Sequence, residues 1–229
     1  TPVRRAKPPG PVVIWNLIRR CNLNCIHCYS LSTDVDFPGE LTTAEVFRVM
    51  DDLKAARVPV LILSGGEPLL RRDIFEISAR AKAMGFYVGL SSNGALIDEP
   101  MAERIAAVGY DYVGVSLDGI GAVHDRFRRV PGAYAASLAG IRRCHDLGIK
   151  VGLRFTVTER NVESLRIDRD RRPIRHRLFH DLDVELEAVS IVAIAESLHR
   201  AGIRRCQHMR VVGQADDFGA MPLQDIDRI

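Results

Sequence analysis

The sequence predicts an α/β fold: a partial (β/α) barrel of about five βα units, followed by an atypical C-terminal tail. A repeat carries this reading. It runs GFYVGLSSNG from Gly85, GYDYVGVSLDG from Gly109 and GIKVGLRFTV from Gly148. Each time a helical stretch ends in glycine, a short apolar strand follows, and small or polar residues close it. Two apolar, β-branched runs come earlier, at 12–17 (VVIWNL) and 58–64 (VPVLILS). Strands alternating with helices argue for a parallel sheet. Polar residues of chemical interest follow the strands, and barrels of this type gather their chemistry at the carboxyl ends of their strands.

Taken in order, residues 1–11 (TPVRRAKPPGP) are rich in proline and charge and read as an extended arm. The run at 12–17 is a buried strand. Thr42 or Thr43 caps the first helix, with Glu45 in its first turn. Val46, Val49, Met50 and Leu53 give that helix an apolar face at helical spacing. The strand at 58–64 ends at Gly65-Gly66-Glu67-Pro68, and a helix over 73–84 stops at Gly85. Further helices are expected over 100–108 and 134–147.

The character changes after about Asn161. Residues 166–177 (RIDRDRRPIRHR) carry six arginines with no clear period. Lysine is absent from 161 onward, while four of the seven histidines lie there. A helix over 181–200, ending at Gly202, is expected. A sixth strand should follow, but 204–210 (RRCQHMR) is too polar for a barrel interior. Local pattern and global fold then disagree. The segment is read either as damaged, recombined or out of frame, or as a genuine divergent piece. The expected organisation is an arm over 1–11, a core over 12–161 and this atypical segment over 162–229.

Composition sets the bounds. At 229 residues and 47% hydrophobic, the chain can bury one large core or two small ones. Its net charge of +3 is too small to argue for nucleic acid. No apolar run reaches the roughly 18 residues a membrane span needs, and the opening residues do not read as an n-region, h-region and cleavage site. The expectation is a soluble, cytoplasmic protein without nucleic-acid or membrane partners. A start at Thr1 is read as a fragment or a processed product.

Cys21, Cys25 and Cys28 form C-x3-C-x2-C within RRCNLNCIHCY. Three thiols in so short a loop can turn toward one centre, and soft thiolates select zinc, copper or iron–sulfur clusters. A structural zinc site wants four ligands, and no fourth lies at matching spacing. A four-iron cluster on three thiolates keeps one iron open to a small molecule. In Gly65–Pro68, glycines allow close backbone approach, and Glu67 can accept from an ammonium group. Ser91-Ser92-Asn93-Gly94 and Ser116-Leu117-Asp118-Gly119 close the next two strands, although Asn-Gly and Asp-Gly are also ordinary turn signals. Arg154 lies in an apolar strand and needs a partner. That partner is either a ligand carboxylate or a barrel acid such as Asp118. His27 shapes the loop rather than binding iron, and Cys144 is a small core residue on a helix.

The cysteine spacing followed by an aromatic residue, with GGEP some forty residues on, resembles the radical S-adenosylmethionine (SAM) enzymes. The stretches PPGPVVIWNLIRRCNLNCIHCYS, DVDFPGELT, VPVLILSGGEPLLR, DIFEISARAKAMGFYVGLSSNG, VGYDYVGVSLDGIGAVHDRFRR and GIKVGLRFTVT are similar to the members of haem d1 biosynthesis. The resemblance implies one [4Fe-4S] cluster on Cys21, Cys25 and Cys28. It implies SAM held by Gly65, Gly66, Glu67, Pro68, Ser92, Asn93, Ser116 and Arg154. It further implies reductive cleavage of SAM, a sirohaem-derived tetrapyrrole whose propionates are modified, and an electron donor such as a flavodoxin or ferredoxin. Arg126, Arg128 and Arg129 would meet those propionates at the barrel mouth. Family members continue into a cysteine-rich domain holding an auxiliary cluster. Only Cys206 lies past Cys144 here, so one cluster is expected and turnover by this chain is open to question. A radical SAM peptide maturase and a non-catalytic remnant are the alternatives.

Overall fold

The computed structural model describes residues 10–158, 160 and 161, together with the backbone of 188–193 and 210–211. Four βα steps and a fifth strand run through the described core. They are β1 (Val12–Ile18), α1 (Thr43–Ala55), β2 (Val60–Gly65), α2 (Ile74–Ala83), β3 (Tyr87–Ser92), α3 (Glu99–Val108), β4 (Tyr112–Ser116), α4 (Ala122–Arg128), α5 (Ala133–Asp146) and β5 (Val151–Val157). A 3₁₀ turn, Pro68–Leu70, separates β2 from α2. All strands are parallel and lie in sequence order, so each crossover returns the chain beside the strand it left. Every described strand therefore ends on the same edge of the sheet.

Local chemistry explains the boundaries. Thr42 Oγ1 accepts from the backbone N–H of Glu45 at 3.3 Å, and Glu45 Oε2 accepts from the N–H of Thr42 at 2.8 Å. This capping box satisfies two orphan donors of α1. Asp98 caps α3 by accepting from the N–H of Met101 at 2.9 Å, and Gly109 ends that helix at φ +68°. The side chains of a strand alternate between faces. On one face Leu61, Leu63, Val88, Leu90, Val113 and Val115 are buried; they pack against Val46, Met50, Ile74, Ile77, Ile105 and Ile141 from the helices. The opposite face carries Ser91, Gly114, Gly152 and Arg154. There a Cβ on Gly114 would lie 2.7 Å from Arg154 Nε, so the glycine makes room for the arginine to cross β4.

The C-terminal region departs from the sequence reading. The expected helix over 181–200 contains a strand instead, β6 (Ala188–Ala193), parallel to β5. A two-residue β7 (Arg210–Val211) pairs with β6. The sixth strand is therefore AVSIVA rather than 204–210, and β5 has no free edge. Val189, Ile191 and Val192 are β-branched and suit a strand whose pairing partner is distant in sequence. The arginine-rich stretch 166–177 and Cys206 lie outside the described residues. The short helix α4, between glycines and without a side-chain N-cap, was also not expected from the sequence.

Candidate active site

The cysteine loop leaves the sheet where β1 loses register. Pairing with β2 shifts between Asn16 and Ile18, the kind of irregularity that re-aims a chain beside a functional site. The loop is then tied to the turn after β2. The N–H of Gly66 donates to Ile18 O at 2.7 Å, and that of Glu67 to Arg20 O at 2.9 Å. The two glycines exist for this approach: a Cβ on Gly65 would lie 2.2 Å from Ile18 O, and one on Gly66 2.3 Å from Arg20 O. Gly65 also has φ +149°. The close contact they permit is with the end of β1 and the start of the cysteine loop, where the sequence had suggested a ligand.

Glu67 is 0% exposed. Its Oε1 accepts from the N–H of Leu69 at 3.1 Å and from Ser92 Oγ at 3.0 Å; its Oε2 accepts from the N–H of Asn93 at 2.8 Å. Burial pushes its carboxyl up to about 7, against the pull of these three donors. Its carboxylate thus binds the end of β3 to the turn after β2. Asn93 continues the chain of contacts. Its Oδ1 accepts from the N–H of Ala95 at 2.9 Å, and its Nδ2 donates to Asn22 Oδ1 at 2.8 Å and toward Cys21 Sγ at 3.8 Å. Cys21, Gly66, Glu67, Pro68, Ser92 and Asn93 are therefore one connected group.

Each sulfur in the loop faces donors. Cys21 Sγ accepts from the N–H of Leu23 at 3.4 Å, Cys25 Sγ from Arg128 Nη1 at 3.3 Å, and Cys28 Sγ from the N–H of Ser32 at 3.4 Å. Burial pushes the Cys21 thiol up to about 11. Burial would raise Cys28 too, but hydrogen bonds from Ser30 and Ser32 outweigh it and hold that thiol below its ordinary value. Among the described residues no three of His, Cys, Asp and Glu gather closely enough to hold a single metal ion.

Arg128 is the residue that sequence reasoning misplaces. It was expected at the barrel mouth with Arg126 and Arg129, which are exposed, whereas Arg128 is buried. Besides Cys25 it pairs with Asp118 Oδ2; the two side chains are 7% and 1% exposed. Asp118 Oδ1 accepts from the N–H of Thr156 at 2.7 Å, and Asp118 O accepts from Asn161 Nδ2 at 3.1 Å. His27 packs on Phe127 with ring centroids 5.2 Å apart and sets Nε2 3.5 Å from Asp118 Oδ2. His124 accepts from the N–H of Asp118 at 3.0 Å, and burial drives its pKa down to about 4. The signal for this cluster is a histidine and an arginine four apart on one short helix, a spacing that puts both on one face.

Ser116 and Arg154 are paired across β4 and β5. Arg154 Nη1 donates to Ser91 Oγ, not to Asp118. Among the described residues Arg154 has no ion-pair partner. Cys144 is fully buried in α5, as its helical position suggested. A cavity of about 390 Å³ opens on the β1 side, lined in part by Trp15, Asn16, Arg19, Ser30, Phe37 and Glu40. It includes none of the expected site residues.

A parallel α/β sheet with a three-cysteine loop after its first strand, a Gly-Gly-Glu-Pro turn after its second and polar residues after its third and fourth defines a class. Residues 15–166 match the radical SAM superfamily, and the chain belongs to that superfamily of enzymes, whose cofactors are SAM and an iron–sulfur cluster. It is 57% identical over 166 residues to the pre-haem d1 synthase of Dinoroseobacter shibae, covering 72% of this chain and 41% of that protein. It is 48% identical over 160 residues to the Fe-coproporphyrin III synthase of Methanosarcina barkeri, covering 70% and 40%. The chain thus spans about two fifths of the length of these relatives. The crystal structure of Streptococcus suis SuiB bound to its precursor peptide SuiA shares the fold, with a TM-score of 0.65 at 18% identity over 82% of this chain and 40% of that one. No helix among the described residues is long and apolar enough to cross a membrane.

Proposed function

We propose that residues 12–161 bind SAM beside a [4Fe-4S] cluster carried by Cys21, Cys25 and Cys28. We further propose that the protein acts in haem d1 biosynthesis on propionate side chains of a sirohaem-derived tetrapyrrole. One observation carries the cofactor reading: hydrogen bonds link Cys21 through Asn93 to Glu67, so the cysteine loop and the turn after β2 form one rigid unit. The similarity to pre-haem d1 synthase supports the substrate class. When bound, the cluster supplies the electron for reductive cleavage of SAM.

The chain's own residues then have distinct tasks. Glu67, internally hydrogen-bonded, fixes the turn so that Gly65, Gly66 and Pro68 present their backbone to the methionine end of SAM. Ser92 and Asn93 hold the end of β3 in register with that turn. Ser116 and Arg154 take the other side of the ligand, where a half-buried guanidinium without an acid partner among the described residues receives a carboxylate. The electron comes from a donor such as a flavodoxin or ferredoxin, in the reducing cytoplasm.

The test is an anaerobic assay of the iron- and sulfide-reconstituted chain with SAM and dithionite. Methionine and 5′-deoxyadenosine should form in equal amounts, and didecarboxylated sirohaem should bind with a shifted visible spectrum. No SAM cleavage by a loaded chain would overturn the cofactor reading. Cleavage without any spectral response to the tetrapyrrole would overturn the substrate class.

A further inference from the structure

The helix α4 closes on the cysteine loop through three separate contacts. The N–H of Ile26 donates to Phe127 O at 2.9 Å, the N–H of Asn24 donates to Arg128 O at 3.3 Å, and Arg128 Nη1 reaches Cys25 Sγ at 3.3 Å. The first two contacts cap carbonyls that the end of a helix leaves without intrahelical partners. Arg129 ends α4 in the left-handed region at φ +56°. A non-glycine residue adopts that conformation at a cost, and here it lies where the chain turns away and leaves these two carbonyls to the loop.

We propose that Arg128 is a positioning residue that fixes Cys25 and sets the reduction potential of the group Cys25 carries. This rests on the reading that Cys21, Cys25 and Cys28 hold a cluster. A guanidinium is permanently charged. It is buried here and fixed on both sides, with Cys25 on one edge and Asp118 on the other. Reduction adds one electron to the cluster from an outside donor and makes or breaks no bond. The added negative charge is stabilised by a cation hydrogen-bonded to a ligand sulfur, and hydrogen bonds to the sulfurs together with net charge are what tune such potentials. Asp118 opposes the effect by neutralising part of that cation. The anionic groups facing Arg128 are Cys25 and Asp118 in direct contact, with Cys21 from the same loop and the buried Glu67 from the turn after β2 further off; His124 on its own helix and His27 from the loop also lie beside it.

This arrangement makes a signed prediction. Arg128→Gln removes the cation and should lower the potential, reducing the equilibrium constant for reduction at least tenfold, ~59 mV for a one-electron couple. Asp118→Asn leaves the cation uncompensated and should raise it. Arg128→Lys keeps the charge and should stay near the parent value. The measurement is a dithionite redox titration of the reconstituted chains, followed by electron paramagnetic resonance, with iron and sulfide content determined on the same samples. A purely structural role would change cluster content or melting temperature but would not move the potential in opposite directions. Fully loaded variants with equal potentials would overturn the role of Arg128 and leave the cluster reading intact. A parent chain that takes up no iron and sulfide would overturn both. Should Arg128→Gln fail to load, Arg128→Met, a long side chain without the charge, is titrated in its place: a lowered potential in the loaded variant supports the role and an unchanged one overturns it.

Discussion

The backbone N–H of Asn93 donates to Oε2 of Glu67 at 2.8 Å, joining the end of β3 to the turn after β2. Glu67 is buried, and its carboxyl is raised from an ordinary 4.5 to about 7. A folded-state pKa above the unfolded one means that the folded chain holds the proton more tightly. The stability this contributes is fully present below about 4.5 and is lost as pH rises through about 7. The melting temperature should therefore fall between those values, and Glu67→Gln, which does not titrate, should flatten that part of the profile. Thermal melts of both chains across the range check this; parallel profiles would contradict it.

Gly66 should tolerate no side chain. Its Cβ would lie 2.3 Å from Arg20 O, a backbone atom that cannot swing aside. Gly66→Ala should cost about 3 kcal/mol, at the upper end of overpacking. Gly39→Ala is the contrast. Gly39 has φ +84° but nothing within 4 Å, so only backbone strain of about 1 kcal/mol is expected. Urea denaturation of the two variants separates a clash from strain.

Asn93→Ala removes the side-chain bonds to Asn22 and Ala95 and the donor toward Cys21. A loss of about 1–3 kcal/mol is expected for a buried polar link broken on one side. Iron should also leave the reconstituted variant faster when a chelator is added, because Cys21 has lost its tie to β3. Equal rates of iron loss would separate Asn93 from the cysteine loop.

What the sequence made legible was local. The spacing of Cys21, Cys25 and Cys28, the Gly-Gly-Glu-Pro turn and the apolar runs are each contained in a few residues, and the first five strands follow from them. A cap at Thr42 or Thr43 with Glu45 in the first turn was readable for the same reason, and the structure selects Thr42. Arg128 was not, because its meaning depends on Cys25, 103 positions away. Nor was the strand Ala188–Ala193: a short apolar run has no period long enough to separate strand from helix, and pairing with β5 decides it. Glycines were recognised at Gly65 and Gly66, but their reason, the approach of β1, is tertiary.

The central claim is that Cys21, Cys25 and Cys28 carry one cluster. The most direct measurement compares iron and sulfide content, with visible absorbance, of anaerobically reconstituted parent chain and of the variant with all three replaced by alanine. The parent should take up iron and sulfide in the proportions of a [4Fe-4S] cluster and show broad thiolate-to-iron absorbance, and the variant should show neither. A variant that kept the same iron, sulfide and chromophore would contradict the assignment.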